Sequence, residues 1–452
     1  MSSKKILSVV LVALLGTLCA GCGNKEKESA SSNGATKKGS SESSSDDSSD
    51  LHGVDGNCAA PPDWFKGKIP TPKPEDFPQG DDVTNCDFHL LSWQYFLWLT
   101  EEVDGKARFE SLYTDRAIHP DSKDDKNHVL DIVEQALSKG VLVDQNGRAV
   151  YSNIMINSVY RDWVLNNKLY DPAEFRKFPA DNDFPVGSLS LKACWKIVAE
   201  GDDTSKLYTT KMSVQKLTMV DGVPRIPENP EVEKDVEVAL VALHIAIVPK
   251  GHPEFVWATF EYDNNAPNFA TEQKMNEPVS DKSWLFYKQG TTALNCNANN
   301  ASTLAFADEK LQTLTPITQV ARQYINGGGS KTNQENIEHL NQNIKSQLEG
   351  SVWANYFEVG AVWFNTSKGT LKPNWSPNVD DSMVTGSLKL SNSTIETFTQ
   401  KVGSMNQCFS CHNTMSVTSL PEGIETLAGK NANTSHVLLK NYQKGGEVQR
   451  RP

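Results

Sequence analysis

Two cysteines and a histidine near the end of the chain have the types and spacing of a covalent cofactor site. Residues 407–413 read QCFSCHN. In the pattern Cys-x-x-Cys-His, the two thiols can add to the two vinyl groups of a haem, and the adjoining imidazole can bind the iron. We therefore predict one covalent haem c, attached through Cys408 and Cys411, with His412 as the proximal iron ligand.

Two other chemistries use the same cysteine spacing. A dithiol redox pair is typically found just after a strand in a βαβ unit, and the residues before Cys408 do not predict such a unit. A structural zinc site needs further ligands, and the chain has no second cysteine pair at zinc spacing. The haem interpretation is favoured, with the dithiol pair and half of a zinc site as the alternatives.

The start of the chain has the features of an export signal. Lys4 and Lys5 precede an apolar run at 6–18, and small residues then lead to Cys22. We interpret residues 1–21 as a signal peptide, because the apolar run is too short to span a membrane as a mature helix. Export also takes the chain to the side of the membrane on which c-type haem is attached.

The residues up to Cys22 resemble a bacterial lipoprotein signal, reading LCAGC at 18–22. The resemblance implies that Cys22 becomes the lipid-bearing first residue, and Gly23 resembles signals that direct proteins to the outer membrane. We therefore expect an exported protein, lipid-anchored on the periplasmic or surface side of the outer membrane. Residues 23–50 are almost entirely polar and cannot bury enough surface to fold, so 22–57 is predicted to be a disordered linker.

Composition narrows the range of partners. The 452 residues include 44 basic and 56 acidic side chains, with a net charge of −12. No basic patch predicts nucleic-acid binding. The acidic balance favours solubility and a basic, exported redox partner protein.

The cysteines outside the signal, the lipid site and the haem motif form an even set. They are Cys58, Cys86, Cys194 and Cys296. An even number in an exported chain predicts two disulfide bonds, among three possible pairings. We favour Cys58 with Cys86 and Cys194 with Cys296, because each pair stays within one structural segment; free buried thiols are the alternative.

Hydrophobic patterns predict a fold of the α+β class. A nearly all-apolar stretch at 88–99 predicts a buried helix, and a helical repeat at 333–349 predicts an amphipathic one. Alternating patterns predict several closely spaced strands, at 188–197, 206–220, 236–248, 255–260 and 356–364. We therefore expect an antiparallel sheet core with flanking helices.

The end of the chain is predicted to be a helical haem c segment. Residues 393–396 read STIE, a capping-box pattern that would begin a helix running to about Val402. Few residues follow His412, so the haem would be shared with the larger part of the chain. The predicted division is therefore a mixed α+β domain at 58–385, with a haem-binding segment at 386–452 packed on it.

Several stretches resemble one family of exported bacterial proteins. They read SWQYFLWL at 92–99, LSLKACW at 189–195, ALHI at 242–245 and WATFEYDNNAP at 257–267, with the cysteine motif at 408–412. Together they resemble the large mono-haem cytochrome c proteins, a functionally uncharacterised family. The resemblance covers most of residues 88–415 and implies a c-type haem without an agreed further chemistry.

Two histidines are candidates for the second axial ligand of the iron. Met415 and Met405 lie too close to the motif along the chain to reach the opposite side of the haem. His436 has enough intervening chain to pass the haem edge, and His244 could approach from the predicted sheet. The expected order is His436, then His244, then an open site.

One-electron transfer is the function that the sequence favours. A single haem carries one electron at a time, and the chain shows no second Cys-x-x-Cys-His, no nucleotide fingerprint and no other metal cluster. No catalytic residue is assigned. The alternatives are a peroxidase-like enzyme with an open distal iron site, and a non-catalytic lipoprotein with a structural haem.

Overall fold

A computed structural model of the protein describes residues 53–132, 139–400 and 408–445. All of these residues belong to one compact unit. The predicted signal peptide, the lipid-bearing Cys22 and Met405 lie outside the described residues. The export signal and the lipid anchor therefore stay predictions, and so do the linker and the domain boundaries.

Strands dominate the described chain. The fifteen strands are β1 (Glu102–Val103), β2 (Lys106–Ala107), β3 (Tyr113–Thr114), β4 (Val129–Ile132), β5 (Tyr151–Ile156), β6 (Leu189–Ile197), β7 (Thr209–Gln215), β8 (Thr218–Val220), β9 (Val223–Arg225), β10 (Val232–Ile247), β11 (Val256–Tyr262), β12 (Ala305–Asp308), β13 (Thr313–Thr315), β14 (Tyr356–Phe364) and β15 (Val384–Gly386). The five α-helices found there are α1 (Asn85–Thr100), α2 (Ser158–Asn166), α3 (Pro172–Lys177), α4 (Lys331–Gln347) and α5 (His436–Gln443). None of these helices has the length and apolar character needed to cross a lipid bilayer.

Five strands close into a barrel. Strand β10 pairs with β6, β6 with β5, β5 with β4, β4 with β7, and β7 returns to β10. All of these pairings are antiparallel except that of β4 with β7. The sheet continues beyond the barrel from β10 through β11 and β14 to β15, and β3 adds to β5.

The long strand β10 belongs to both the barrel and its extension. Its first half, from Val232 to Ala239, pairs with β7, and its second half, from Ala242 to Ile247, pairs with β11. The pairing with β6 is irregular between Leu240 and Ala242. A bulge bends a strand and increases its twist, so this irregularity lets β10 change partners where the barrel ends.

The α+β prediction is wrong, because the fold is mostly β and is built on the closed barrel. The helical haem segment is also absent from the described residues, where Cys408–Ser410 form only a short 3₁₀ turn. The STIE stretch starts no α-helix there. Instead, the Asn392 side chain accepts backbone N–H groups of Thr394, Ile395 and Glu396, a local turn that competes with helix formation.

Helix α1 lies at the centre of the main hydrophobic core, where the sequence places a buried helix. It begins earlier than predicted, because Thr84 and Asp87 form a capping box: each side chain accepts the other's backbone N–H. Fourteen of its sixteen residues are buried. One face contacts β14, where the ring of Phe88 stacks on that of Trp363 at 4.2 Å between centroids.

A buried polar group joins α1 to β14 and α4. His89 Nδ1 lies 2.8 Å from a carboxylate oxygen of Glu358, and its Nε2 lies 3.1 Å from the Asn333 side-chain oxygen. All three side chains are fully buried. Burial alone would lower the pKa of His89, but the charge and hydrogen bond of Glu358 outweigh it and raise that pKa. The histidine therefore compensates a carboxylate that has no access to water.

Only one of the two favoured disulfides is present. Cys58 and Cys86 are bonded and tie the segment before α1 to its first turn. Cys194 and Cys296 are free and buried, so their predicted bond is wrong. They lie in different hydrophobic clusters, Cys194 beside Val241 and Cys296 beside Tyr287. Burial raises the pKa of both thiols to about 12, which keeps them protonated.

Replacing His89 by Ala should destabilise the protein by about 3–5 kcal/mol, because the Glu358 carboxylate would stay buried without its partner. The free energy of unfolding, measured by chemical denaturation, checks this. His339→Ala on the exposed face of α4 is the matched control and should change stability by less than about 0.5 kcal/mol. Equal effects of the two substitutions would contradict a compensating role for His89.

Candidate functional site

The cysteine motif forms a single helical turn. The backbone N–H groups of Cys411 and His412 both donate to the Cys408 carbonyl, at 3.1 and 2.8 Å. Both thiols are free and half-buried. Burial, reinforced by the charge of Glu396, raises the pKa of each thiol. The turn therefore presents two protonated thiols and an imidazole within a few ångströms of backbone.

A buried aromatic side chain anchors this turn to the sheet. Phe409, between the two cysteines, is fully buried against Phe364 at the end of β14 and against Trp375. Two residues after the motif, the Thr414 hydroxyl accepts the Trp375 N–H and donates to the Lys372 carbonyl, both at 2.7 Å. The motif is thus held on both sides by contacts with the chain that follows β14.

The His412 ring is oriented by a backbone hydrogen bond. Its Nδ1 lies 2.9 Å from the Thr434 carbonyl oxygen. A carbonyl can only accept, so Nδ1 carries the proton and Nε2 keeps its lone pair. Burial and the neighbouring His436 lower the pKa of His412 well below its ordinary value. A neutral imidazole with its Nδ1 proton held in this way is the form in which histidine binds metals.

Two aromatic rings enclose His412. The Trp257 ring lies 3.9 Å away and the His436 ring 3.7 Å away, centroid to centroid, at interplanar angles of 33° and 22°. Two rings cannot occupy one face at these separations, so they stack on opposite faces. The indole N–H of Trp257 donates to the Glu254 carbonyl, which fixes that ring in turn. The orientation of His412 is therefore determined by three separate contacts.

His436 lies directly beside His412, with the two rings stacked. It is the first residue of α5, and its Nε2 is 3.2 Å from the Cys411 carbonyl oxygen. Axial ligands occupy opposite sides of an iron, and two imidazoles that stack face to face cannot do so. Chain length permits His436 as the distal ligand, but the packing of α5 against the motif does not place it there.

His244 is positioned differently. It lies in β10 opposite Thr259 of β11, and its Nδ1 is 3.3 Å from the Thr259 hydroxyl. Its Nε2 is buried and has no hydrogen-bond partner among the described residues. Burial, with a smaller contribution from Lys192, lowers the pKa of His244 to about 3, so the ring is neutral. His244 is therefore a second neutral imidazole whose Nε2 makes no hydrogen bond to the described residues.

One face of the sheet carries His244 and also contacts His412. Trp257 precedes Thr259 by two residues on β11, so both side chains point to one face. That face contacts His412 through Trp257 and carries His244 one row away. The two imidazoles are close enough to interact, because a proton on His244 would lower the pKa of His412.

Sequence reasoning missed four residues at the site: Trp257, Thr434, Lys192 and Glu396. The first lies in the WATFEY stretch but has no local feature that marks a contact with His412. Thr434 acts through its backbone carbonyl, which any residue type provides. Lys192 occupies an ordinary polar position of an alternating strand, opposite His244. Burial raises the pKa of Glu396 to about 7, and nothing in the sequence shows that burial.

No group of three or more His, Cys, Asp or Glu side chains that could hold a metal ion occurs in the described part of the chain. Groups of that kind are what zinc sites require. A haem iron takes only its axial ligands from the protein. The residues at Cys408 to His412 fit a covalent haem, because two free thiols precede a neutral imidazole with an available Nε2.

Comparison with known proteins identifies no relative: no protein-family model, no curated protein and no solved structure matches the chain. The resemblance to mono-haem cytochrome c proteins therefore stays a prediction.

Phe409→Ala should destabilise the protein by about 3–5 kcal/mol, because it leaves a cavity where the ring now packs between Phe364 and Trp375. Ser410→Ala, at the exposed next position, is the control and should have little effect. Denaturant unfolding of both variants measures the difference. An unchanged midpoint for Phe409→Ala would show that the ring does not anchor the turn.

Proposed function

We propose that this protein is an exported c-type cytochrome lipoprotein that transfers one electron at a time through a single haem. The haem is bound covalently by Cys408 and Cys411, with His412 as the proximal ligand. The observation that carries the proposal is the hydrogen bond from His412 Nδ1 to the Thr434 carbonyl, because it leaves Nε2 as the ligand atom. The haem, when bound, supplies the one-electron chemistry.

His244 is the proposed distal ligand. Like His412, it is neutral, and its Nδ1 contacts an oxygen that can accept the ring proton. Its Nε2 is a buried acceptor without a partner among the described residues, which is costly unless something fills the position. An axial bond to iron would satisfy that nitrogen. His436 instead supports His412 by stacking on it.

Two histidine ligands favour electron transfer over catalysis. An iron with both axial positions filled has no open coordination site for a peroxide-type substrate, as a peroxidase-like enzyme would need. Bis-histidine ligation also avoids the increase in reduction potential that a methionine ligand brings. The stacked rings and the anchored turn hold the proximal ligand rigidly, as a preorganised site requires.

The location and the partner are proposed on sequence grounds. Export followed by lipidation of Cys22 would place the folded part at the bacterial outer membrane. The net charge of −12 supports a basic, exported redox protein as the electron donor or acceptor, since opposite charges steer association.

Haem staining after denaturing electrophoresis tests the attachment. In cells with intact cytochrome c maturation, the wild type should stain, and Cys408→Ala should lose most of the stain because one thioether bond cannot form. Cys296→Ala removes a free buried thiol from another cluster and should stain like the wild type. The stained wild-type band should also partition into the detergent phase through its lipid.

An unstained wild-type band would remove the haem proposal, whatever the behaviour of the variants. A stained protein that stays in the aqueous phase after export would remove only the lipid anchor.

The visible spectrum with and without carbon monoxide tests the distal ligand. The wild type should be six-coordinate and low-spin and should not bind carbon monoxide. His244→Ala opens one axial position and should bind it, with a shift of the main absorption band. His436→Ala leaves both axial ligands in place and should behave like the wild type.

Carbon monoxide binding by His436→Ala but not by His244→Ala would show that His436 is the distal ligand in the loaded protein. A wild type that binds carbon monoxide and turns over peroxide would favour the peroxidase-like alternative instead.

A further inference from the structure

A cavity of about 1140 Å³ adjoins the candidate site. Its wall includes residues of β4, β5 and β6, the chain that follows β9, and two lysines of the C-terminal segment, Lys440 and Lys444. Lys192 of β6 belongs both to this wall and to the strand row that carries His244. Binding pockets for small molecules are about 300–1,000 Å³, so the cavity is large enough for one.

The cavity is more basic than the rest of the chain. Its wall contains five basic side chains and three acidic ones, whereas the whole chain has a net charge of −12. The five basic residues are Arg116, Lys192, Arg225, Lys440 and Lys444. Arg116 is already paired with Asp125, but the other four basic side chains still outnumber the three acidic ones. A local excess of positive charge in an acidic protein favours an anionic occupant.

Lys192 is partly buried without a direct polar partner in the described chain. It makes no hydrogen bond or ion pair with any described residue, although its side chain is only half-exposed. By contrast, the ammonium group of Lys196 pairs with Asp202. Lys192 lies directly opposite His244 in the paired strands β6 and β10. Its charge also lowers the pKa of Glu396, which burial raises to about 7, so this carboxyl group compensates Lys192 only in part. A carboxylate bound in the cavity would complete the compensation.

We propose that this cavity is a carboxylate-binding site, with Lys192 as its anchoring cation and Lys440 and Lys444 as supporting charges. An ammonium group and a carboxylate form strong, charge-assisted hydrogen bonds. The carboxylate comes either from the propionates of the haem or from a free small organic acid bound beside it. The first source rests on the proposed function, whereas the site itself can be tested without haem.

The test uses the full-length chain with and without haem. The haem-free form is the Cys408→Ala, Cys411→Ala double variant, and the probe is succinate, followed by isothermal titration calorimetry. Succinate should bind the haem-free form, and Lys192→Gln in the same background should weaken binding about tenfold or more. Lys211→Gln removes the same charge from an exposed position of β7 outside the cavity and should leave binding unchanged.

The haem-loaded protein distinguishes the two sources. If the propionates fill the cavity, succinate does not bind the loaded form. Lys192→Gln then lowers the equilibrium constant for reduction of the iron about tenfold, because a nearby positive charge is lost. This corresponds to a reduction potential about 59 mV lower for one electron. Lys211→Gln again leaves the potential unchanged. If the source is a free acid, the loaded form binds succinate as tightly as the haem-free form does.

Two results would overturn the inference: no succinate binding by the haem-free form, or binding that Lys192→Gln does not weaken. Circular dichroism of each variant establishes that the fold is retained, so a loss of binding is not a loss of structure. An unstained wild type removes the proposed haem but leaves the succinate titration valid. Failure of the cavity site and failure of the haem site are therefore separate outcomes.

Discussion

Backbone hydrogen bonds along β10 connect the two parts of the fold on which the site depends. The strand pairs with β6 along one edge, and with both β7 and β11 along the other. Its pairing with β7 closes the barrel, and its pairing with β11 brings Trp257 and His244 onto one sheet face. The pairing with β6 is irregular after Leu240, at the position where the partner on the opposite edge changes from β7 to β11. Without this change of partner, the barrel and the extended sheet could not share a strand.

The C-terminal segment reaches that face through contacts that side chains make with backbone. The buried ammonium group of Lys430 donates to three carbonyls near the end of α3, those of Phe175, Arg176 and Phe178. Burial lowers the pKa of Lys430 to about 8, since no carboxylate compensates it among those contacts. Leu438 of α5 also packs into a hydrophobic cluster shared with α2. These contacts bring the Thr434 carbonyl to His412.

The electrostatics of the site follow from burial. Both candidate ligand histidines are neutral because an imidazolium is disfavoured away from water. Lys192 lines the cavity, and its side chain is half-exposed. It lies directly opposite His244 in the paired strands, which makes it the cation adjacent to that histidine. The site therefore combines neutral donor atoms with one adjacent positive charge, inside a protein whose overall charge is negative.

The sequence by itself determined the features that depend on neighbouring residues. The Cys-x-x-Cys-His spacing, the buried helix α1 and the longest strands, among them β6, β10 and β14, follow from local spacing and periodicity. The tertiary structure alone decided the closure of the barrel, the free state of Cys194 and Cys296, and the stacking of His436 on His412. Strand pairing and side-chain partners bring together residues far apart in the chain, and local periodicity contains no information about those distances. Chain length allows His436 to reach the distal side, but only the packing of α5 shows that it stacks on His412 instead.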